Sequence, residues 1–258
     1  RAAEKVQNLI LDAQVPAIVK YEIKEAYENL NVDLNVYKMA SKQALDIIKA
    51  GREKSFVAVR SSATAEDLGE FSFACQQATF LNVIGENEVV KSVQKCWASL
   101  FTSRAIYYRV KNNFEHRQVF IAVVVQKMVN SKKSGVVFTK NPSSGANDIV
   151  IEAGYGLGET IVSGSVTPDN YVVDFDSMKI KDKKIGNQVF KIIRDANLGR
   201  NIKSNLDENE AKEQKLDESE IIKVANICKK IEEYYRKPQD IEFAIDNKIY
   251  IVQSRPIT

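Results

Sequence analysis

The spacing of the apolar residues changes at about residue 55 of this 258-residue chain, and this change most constrains the fold. In the first fifty residues, apolar side chains recur every three or four positions in AAEKVQNLILDA (2–13), AIVKYEIKEAYENLN (17–31) and SKQALDIIKAG (41–51). This spacing predicts three helices, the third of them capped by Ser41. From residue 55 onward short β-type runs follow. The chain is therefore predicted to be an α+β protein, with N-terminal helices and then mostly antiparallel strands.

The predicted strands are accompanied by two further helices and one polar segment. The strands are SFVAVRSS, QATFLNVIG, QVFIAVVVQKMV, SGVVFTKN, DIVIEAG, NYVVDF and QVFKIIR. A single amphipathic helix is predicted from Glu86 to Lys111, and another helix from Asp217 onward. The buried stripe of the first of these is predicted to be Val89, Val93, Trp97, Leu100 and Ala105. The segment NLDENEAKEQK (205–215) is polar and is predicted to be mobile.

The composition is that of an ordinary globular protein, and it argues against several functions. The formal charge is only +3, and Lys and Arg are interspersed with Asp and Glu, so no basic face for nucleic acid is expected. No apolar run is long enough to span a membrane. Cys75, Cys96 and Cys228 are far apart, which argues against disulfides and favours a reducing, cytoplasmic setting. The lone histidine, His116, is predicted to lie on the surface.

The last residues, DIEFAIDNKIYIVQSR, predict a β-hairpin with an unusual polar face. Asp246 and Asn247 suit a two-residue turn. Because side chains alternate along a strand, one face of the hairpin is predicted to be core. The residues of this face are Ile241, Phe243, Ile245, Tyr250 and Val252. The opposite face is predicted to contain Asp240, Glu242, Ala244, Ile249, Ile251, Gln253 and Arg255.

Two carboxylates, an amide and a guanidinium on one face suit a nucleoside triphosphate bound with Mg²⁺. Carboxylate oxygens bind Mg²⁺, which also bridges phosphate oxygens, and an arginine side chain presents a planar fork to a phosphate. The alternative is a solvated face on which Asp240 and Arg255 form a weak surface pair. The hairpin pattern alone is compatible with both.

Two other stretches contain groups suited to anions. Arg60 ends the strand FVAVR and is followed by Ser61, Ser62 and Thr64, which add donors beside its guanidinium. The alternative is a salt bridge from Arg60 to the carboxylates of AED (65–67). In AGYGLGE (153–159) the alternate glycines let backbone N–H groups approach a phosphate, although tight packing explains many such turns. This loop matches neither the dinucleotide fingerprint nor the P-loop.

Taken together and in their order, these stretches resemble one family. The segments are VAVRSSATAEDL, SFACQQATFLNV, CWASLFTSRAIYYR, VVVQKMV, SGVVFTKNP, GYGLGE, DIEFAI and IVQSRPIT. They are similar to the nucleotide-binding domain of the pyruvate phosphate dikinase family, and within it most of all to the phosphoenolpyruvate synthases (pyruvate, water dikinases). The resemblance runs from about Val6 to the last residue. It implies a single ATP-grasp domain over residues 1–258, with subdomains of roughly 1–125 and 126–258.

The resemblance also implies which residues bind the nucleotide. Arg60, Thr79 and Arg255 would contact the phosphates of ATP, and the two arginines would stabilise the charge that is transferred. Gln126, in QKMV, would lie at the adenine edge.

The remaining implied residues concern the metal ion. Glu242 and Gln253 would bind Mg²⁺, with Asp240 beside them. In the implied chemistry, the β-phosphoryl group of ATP goes to a histidine on a separate swivelling domain, and AMP and phosphate leave. The phosphohistidine then converts pyruvate to phosphoenolpyruvate on a third domain. The implied partners are therefore ATP and two other domains of the same polypeptide.

The sequence departs from the family pattern at several places. Cys75 stands where the phosphate loop usually has glycine, Gly69 replaces a usual proline, and Phe71 replaces a small residue. No lysine segment is recognisable before Val6, and no catalytic-histidine motif is present. We therefore expect an N-terminally incomplete domain that is inactive alone. The alternatives are the same domain from a related dikinase or a rifampicin phosphotransferase, a stand-alone nucleotide-binding module, or a generic α+β domain.

Overall fold

A computed structural model describes residues 2–30, 32, 34–50, 54–64, 78–195 and 200–257. The chain divides into two compact units, unit 1 (Arg1–Met128) and unit 2 (Val129–Thr258). Each unit combines helices with antiparallel sheet, which confirms the predicted α+β class. The segment AED (65–67) and the departures at Gly69, Phe71 and Cys75 lie outside the described residues.

Unit 1 begins with short helices. They are α1 (Ala2–Asp12), α2 (Ala17–Asn29), α3 (Leu34–Met39) and α4 (Lys42–Ala50). Three of them match predicted helices, whereas α3 was not predicted because six residues are too few to show a helical period. The predicted cap of α4 is confirmed, since Oγ of Ser41 accepts a hydrogen bond from the backbone N–H of Ala44 at 3.3 Å.

The sheet of unit 1 is antiparallel and is covered by helices on one face. Its strands are β1 (Val57–Ala63), β2 (Thr79–Val83) and β3 (Ile121–Lys127), in the order β2-β1-β3. Helix α5 (Glu86–Ser99) packs against this sheet and against α2. The buried core of unit 1 contains Tyr27, Val57, Val59, Val89, Val93 and Cys96. Among the residues that the structure describes, this core thus lies on the side of the sheet that faces α5.

The single helix predicted from Glu86 to Lys111 is wrong. Helix α5 ends at Ser99, and a separate helix α6 (Ser103–Lys111) follows. Thr102 causes the new start, because its hydroxyl accepts a hydrogen bond from the backbone N–H of Ala105 at 3.2 Å. A threonine at this position competes with helix continuation by satisfying a backbone donor of the next helix. The apolar spacing continues across the break and therefore concealed it.

Unit 2 is built on a six-stranded antiparallel sheet. Its strands are β4 (Lys133–Phe138), β5 (Asp148–Tyr155), β6 (Asp169–Asp174), β7 (Ile180–Lys184), β10 (Gln239–Ile245) and β11 (Ile249–Pro256), in the order β11-β10-β4-β5-β6-β7. A separate hairpin consists of β8 (Phe190–Asp195) and β9 (Arg200–Asn205). The helices are α7 (Glu159–Val162), α8 (Glu208–Lys212) and α9 (Glu218–Tyr235). Among the helices described in either unit, none combines the length and apolarity needed to cross a membrane.

The main core of unit 2 lies between α9 and one face of the six-stranded sheet. The sheet contributes Val137, Ile149, Ile151, Ala153, Tyr171, Val173, Ile241, Phe243 and Ile245. Helix α9 and the residues just before it contribute Leu216, Ile221, Val224, Ala225 and Cys228. A smaller cluster on the opposite face contains Val136, Ile161 and Val166, with Phe138 and Phe190 beside them. The rest of that second face can therefore carry polar side chains that bind a ligand.

The prediction that residues 205–215 are mobile is wrong. Asp207 caps α8 by accepting hydrogen bonds from the backbone N–H groups of Asn209 and Glu210, both at 2.9 Å. Lys215, at the end of the segment, has no exposed surface. The polar composition is explained by a short capped helix with an exposed outer side, not by the absence of structure. Strands β7 and β9 were likewise not predicted.

Candidate functional site

In unit 1, the predicted residues Arg60, Thr79 and Gln126 lie on one face of the sheet. Arg60 on β1 is the cross-strand partner of Thr79 on β2. Gln126 on β3 is the partner of Ala58, two residues before Arg60. Because cross-strand partners point to the same side and alternate residues share a face, the three side chains project together. The face opposite to them is the one that packs against the core of unit 1.

The hydroxyl residues after Arg60 hold the end of the strand in place. The hydroxyl of Ser61 donates to the carbonyl of Ala78 at 3.2 Å. The hydroxyl of Thr64 accepts a hydrogen bond from the backbone N–H of Phe120 at 3.0 Å. These bonds tie β1 to the segments on both sides of it. They fix the backbone that positions Arg60.

In unit 2, the polar face of the closing hairpin consists of two cross-strand pairs. Asp240 on β10 is opposite Arg255 on β11, and Glu242 is opposite Gln253. The guanidinium of Arg255 donates from Nε and Nη2 to Oδ2 of Asp240, at 2.9 and 2.7 Å. The Asp240 side chain is 14% exposed and that of Arg255 35% exposed. The pair is therefore an ordered, partly buried contact and not a loose pair on the surface.

The predicted pairing of β10 with β11 is wrong, although the polar residues do share one face as predicted. The turn has three residues instead of two, since Ile245 pairs with Ile249. Ile249 and Ile251 therefore pack against the core, where Tyr250 and Val252 were predicted. A β-bulge after Glu242 then shifts the register again. The two one-residue shifts add up to two residues, which returns Gln253 and Arg255 to the face of the carboxylates.

Two polar residues that were not predicted extend this face across the sheet. Glu242 pairs with Val136 on β4, which pairs with Glu152 on β5, which in turn pairs with Asn170 on β6. These residues form one row, so Glu152 and Asn170 project to the same side as Glu242. Glu152 is only partly exposed. A carboxylate inside the apolar run IVIEA is the same signal that identified the hairpin, and it could have identified Glu152.

The glycines of AGYGLGE are explained by packing. A Cβ atom on Gly154 would lie 2.9 Å from Oε1 of Gln188, and one on Gly156 would lie 2.4 Å from the carbonyl oxygen of Ile192. Gly156 also has a φ of +87°, which L side chains rarely adopt. The side chain of Gln188 hydrogen-bonds both the N–H and the C=O of Tyr155, at 2.8 and 2.9 Å. Of the two alternatives for this loop, close packing is the one that these contacts support.

The hairpin offers a donor set that suits Mg²⁺ bound together with a nucleotide. Among the described residues, no three His, Cys, Asp or Glu side chains are close enough to hold a metal ion by themselves. Mg²⁺ is commonly held by one or two carboxylates plus substrate phosphates and waters, not by an all-protein cage. Glu242 and Gln253 supply one carboxylate and one amide oxygen on a shared face. This set fits an ion whose remaining ligands come from phosphates.

Residues 1–258 match the family described as pyruvate phosphate dikinase, AMP/ATP-binding domain. A probable phosphoenolpyruvate synthase of Archaeoglobus fulgidus is 49% identical over 262 residues, covering 99% of this chain and 34% of the relative. A phosphoenolpyruvate synthase of Pyrococcus furiosus is 46% identical over 264 residues, covering 99% and 30%. A rifampicin phosphotransferase of Bacillus cereus is 43% identical over 252 residues, covering 94% and 29%. The chain thus spans about a third of the length of these curated relatives.

Proposed function

Because the chain belongs to the pyruvate phosphate dikinase AMP/ATP-binding domain family, we propose that it is the ATP-binding domain of a phosphoenolpyruvate synthase and has an ATP-grasp fold. The proposed overall reaction converts pyruvate, ATP and water to phosphoenolpyruvate, AMP and phosphate. In it, this domain donates the β-phosphoryl group of ATP to a histidine on another domain of the same polypeptide. The longer relatives leave room for such domains.

The proposed contribution of this domain to catalysis is to hold the phosphates and disperse their charge. Phosphoryl transfer passes through a loose transition state, so positioning and positive charge account for most of the catalysis. Arg60 in unit 1 and Arg255 in unit 2 supply permanent charge and several N–H donors each. Thr79, the cross-strand neighbour of Arg60, adds a hydroxyl on the same face. Gln126 would bind the adenine edge through its amide.

The proposed metal site is the carboxylate and amide pair of the hairpin. Glu242 and Gln253 would hold Mg²⁺, and Asp240 lies in the adjacent pair on the same face. When bound, the ion neutralises charge on the phosphate oxygens. No general base on this domain is proposed for the transfer.

The observation that supports this proposal best is the register of β10 and β11. It places Asp240 opposite Arg255 and Glu242 opposite Gln253 on the side of the sheet that is not covered by α9. A face of this kind suits a ligand that uses both charges, and Mg²⁺ with ATP is such a ligand.

Replacing Arg255 tests the proposal in the full-length protein that contains this domain. In Arg255→Ala, the rate of pyruvate-dependent AMP formation should fall on the order of 100-fold or more, as when one preorganised donor is removed from a developing charge. Arg255→Lys should remain well below the parent because an ammonium group lacks the planar fork. The measurement is the steady-state rate, with thermal unfolding as the check on folding.

The matched control is Arg117→Ala, which removes an exposed arginine outside the proposed site. Its rate should equal that of the parent. A parental rate in both Arg255 variants would contradict the proposed phosphate contact.

The acceptor is tested separately, because one relative is a rifampicin phosphotransferase. The full-length protein should form AMP from ATP when pyruvate is added and not when rifampicin is added. The reverse result would assign the domain to an antibiotic phosphotransferase, while the proposed ATP site would be unchanged.

A further inference from the structure

Within the proposed ATP site, we infer that Asp240 is a positioning residue that orients the guanidinium of Arg255 and is not a ligand of Mg²⁺. This inference rests on the proposed function, because it assigns a role to one residue of that site. The polar face of the hairpin then consists of two residue pairs with different roles. Asp240 and Arg255 serve the phosphates, whereas Glu242 and Gln253 serve the metal ion.

The geometry of the ion pair is the first argument. Nε and Nη2 of Arg255 donate to the same atom, Oδ2 of Asp240, at 2.9 and 2.7 Å. A guanidinium group is planar and rigid, so two bonds along one edge also fix the direction of the remaining donors. Asp240 accepts hydrogen bonds from two of the five N–H groups of the guanidinium, and the other three are on Nη1 and Nη2. Asp240 therefore determines the direction in which these three N–H groups point.

The distribution of charge between the two cross-strand pairs is the second argument. The carboxylate of Asp240 faces a permanent cation, which neutralises its charge and draws on the lone pairs of Oδ2. The carboxylate of Glu242 faces the neutral amide of Gln253. The guanidinium also repels a divalent cation, so a carboxylate that is paired with it is a weaker ligand for Mg²⁺. Asp240 is therefore not expected to bind the metal ion.

The support of the backbone around the ion pair is the third argument. Gln239, which precedes Asp240, is 1% exposed, and its Oε1 accepts a hydrogen bond from the hydroxyl of Ser254 at 2.8 Å. The backbone N–H of Gln239 donates to the hydroxyl of Thr139 at 2.7 Å. Ser254 precedes Arg255, so this partly buried bond joins the two strands directly beside the ion pair. Such support is what a side chain needs if it is to be held in one orientation before the ligand arrives.

A double-mutant cycle with Mg²⁺ titrations tests the inference in the full-length protein. Asp240→Ala should lower kcat on the order of 100-fold, the effect of a misplaced catalytic group. It should leave unchanged the Mg²⁺ concentration that gives half of the maximal rate, and also the Mg²⁺ concentration that half-saturates ATP binding in equilibrium dialysis. In the Arg255→Ala background, Asp240→Ala should change kcat by less than about threefold, because the group that it positions is already absent.

Two further variants complete the experiment. Asp240→Asn keeps the shape of the side chain and one acceptor oxygen, so it should lie between Asp240→Ala and the parent in kcat, again with unchanged Mg²⁺ dependence. Glu242→Gln is the metal-site reference and should raise the Mg²⁺ concentration needed for half of the maximal rate. The Asp240→Asn variant keeps the test usable even if Asp240→Ala does not fold.

The inference is overturned if either Asp240 variant raises the Mg²⁺ requirement as Glu242→Gln does. It is also overturned if the effects of Asp240→Ala and Arg255→Ala on kcat multiply. Failure of the proposed function has a different signature, since Arg255→Ala and Glu242→Gln would then both keep the parental rate and the parental Mg²⁺ dependence.

Discussion

Arg109 in unit 1 and Lys215 in unit 2 are both cations removed from water, with 1% and 0% of their surface exposed. Lys215 has a carboxylate partner, since its Nζ lies 3.2 Å from Oδ1 of the equally buried Asp169. Arg109 has none among the residues that the structure describes. Its Nε donates to Nδ1 of His116 at 2.9 Å and its Nη1 to the carbonyl of Leu100 at 2.6 Å. Its Nη2 is buried and has no hydrogen-bond partner in the described part of the chain.

The pair in unit 2 is the centre of a saturated network. Nζ of Lys215 also donates to the carbonyls of Gly186 and Ala211, at 2.9 and 3.0 Å. Asp169 accepts hydrogen bonds from the backbone N–H groups of Gly186 and Lys215 and from the hydroxyl of Tyr171, at 2.8, 2.7 and 2.6 Å. Burial, followed by the bond to Asp169, raises the pKa of Tyr171 far above its ordinary value, so this hydroxyl remains a donor. The network joins three segments that are distant in sequence.

The groups around Arg109 are an aromatic ring and neutral hydrogen-bond acceptors. The guanidinium carbon lies 5.6 Å from the centre of the Phe101 ring, which provides a weak attraction. Burial lowers the pKa of Arg109, as expected for a cation without a counter-charge. His116 itself is exposed, which confirms its predicted surface position. Arg109 is thus held by polarity and packing, whereas Lys215 is held by a charge of opposite sign.

The difference shows that equal burial does not mean an equal contribution to stability. Removing one partner of a buried ion pair leaves the other charge buried and uncompensated, which destabilises the protein. Replacing a buried ion that has no counter-charge instead eliminates an uncompensated charge. Two substitutions of the same kind should therefore have very different effects in the two units.

The largest effect is expected for Lys215→Met, which leaves the carboxylate of Asp169 without its cation. We expect a loss of about 3–5 kcal/mol in the free energy of unfolding of unit 2. The measurement is the midpoint of urea denaturation, followed by a probe in unit 2.

The control is Glu218→Gln, which removes the partner of an exposed ion pair. Nζ of Lys183 lies 2.6 Å from Oε1 of Glu218, whose side chain is 74% exposed. A change of at most about 1 kcal/mol is expected, as for other surface pairs. Equal midpoints for Lys215→Met and Glu218→Gln would show that the buried pair contributes no more than a surface pair.

Neither buried cation was singled out from the sequence, and the reason is physical. Asp169 and Lys215 are 46 residues apart, and no local pattern indicates that two such charges will meet. Lys215 also ends a segment whose polar composition suggested mobility. Burial of a charge depends on long-range packing, whereas the spacing of apolar residues reports only local structure.

The polar face of the closing hairpin could be predicted more readily from the sequence. Asp240 and Glu242 share a face because they are two residues apart, and the same holds for Gln253 and Arg255. Which apolar residues of β11 face the core was not predictable, because a three-residue turn and a β-bulge each shift the register by one residue. Sequence patterns thus identified which residues belong together on each strand but not the number of residues in the turn.

Two buried cysteines, one in each unit, can locate the loss of stability in Lys215→Met. Cys228 belongs to the core of unit 2 and Cys96 to that of unit 1. Burial raises the pKa of Cys228 to about 12 and that of Cys96 to about 11, so both should resist alkylation at pH 8 while they are buried. In Lys215→Met, the alkylation rate of Cys228 should rise by about 100-fold or more, because local opening becomes more favourable by several kcal/mol.

Cys96 is the internal reference in this experiment. Its alkylation rate should not change in Lys215→Met, and peptide mass spectrometry after timed alkylation separates the two cysteines. An equal increase at Cys96 would show that the substitution acts on both units.

The smallest effect is expected for Arg109→Met, the counterpart of Lys215→Met in unit 1. The substitution removes a charge of the same sign at nearly the same burial, and methionine replaces part of the aliphatic stem that packs there. It deprives the carbonyl of Leu100 and Nδ1 of His116 of a donor, but it leaves no carboxylate unpaired and removes the unsatisfied Nη2. These changes oppose one another, so the free energy of unfolding should stay within about 1 kcal/mol of the parent. A loss as large as that of Lys215→Met in urea denaturation would mean that the hydrogen bonds of Arg109 stabilise unit 1 as strongly as the ion pair stabilises unit 2.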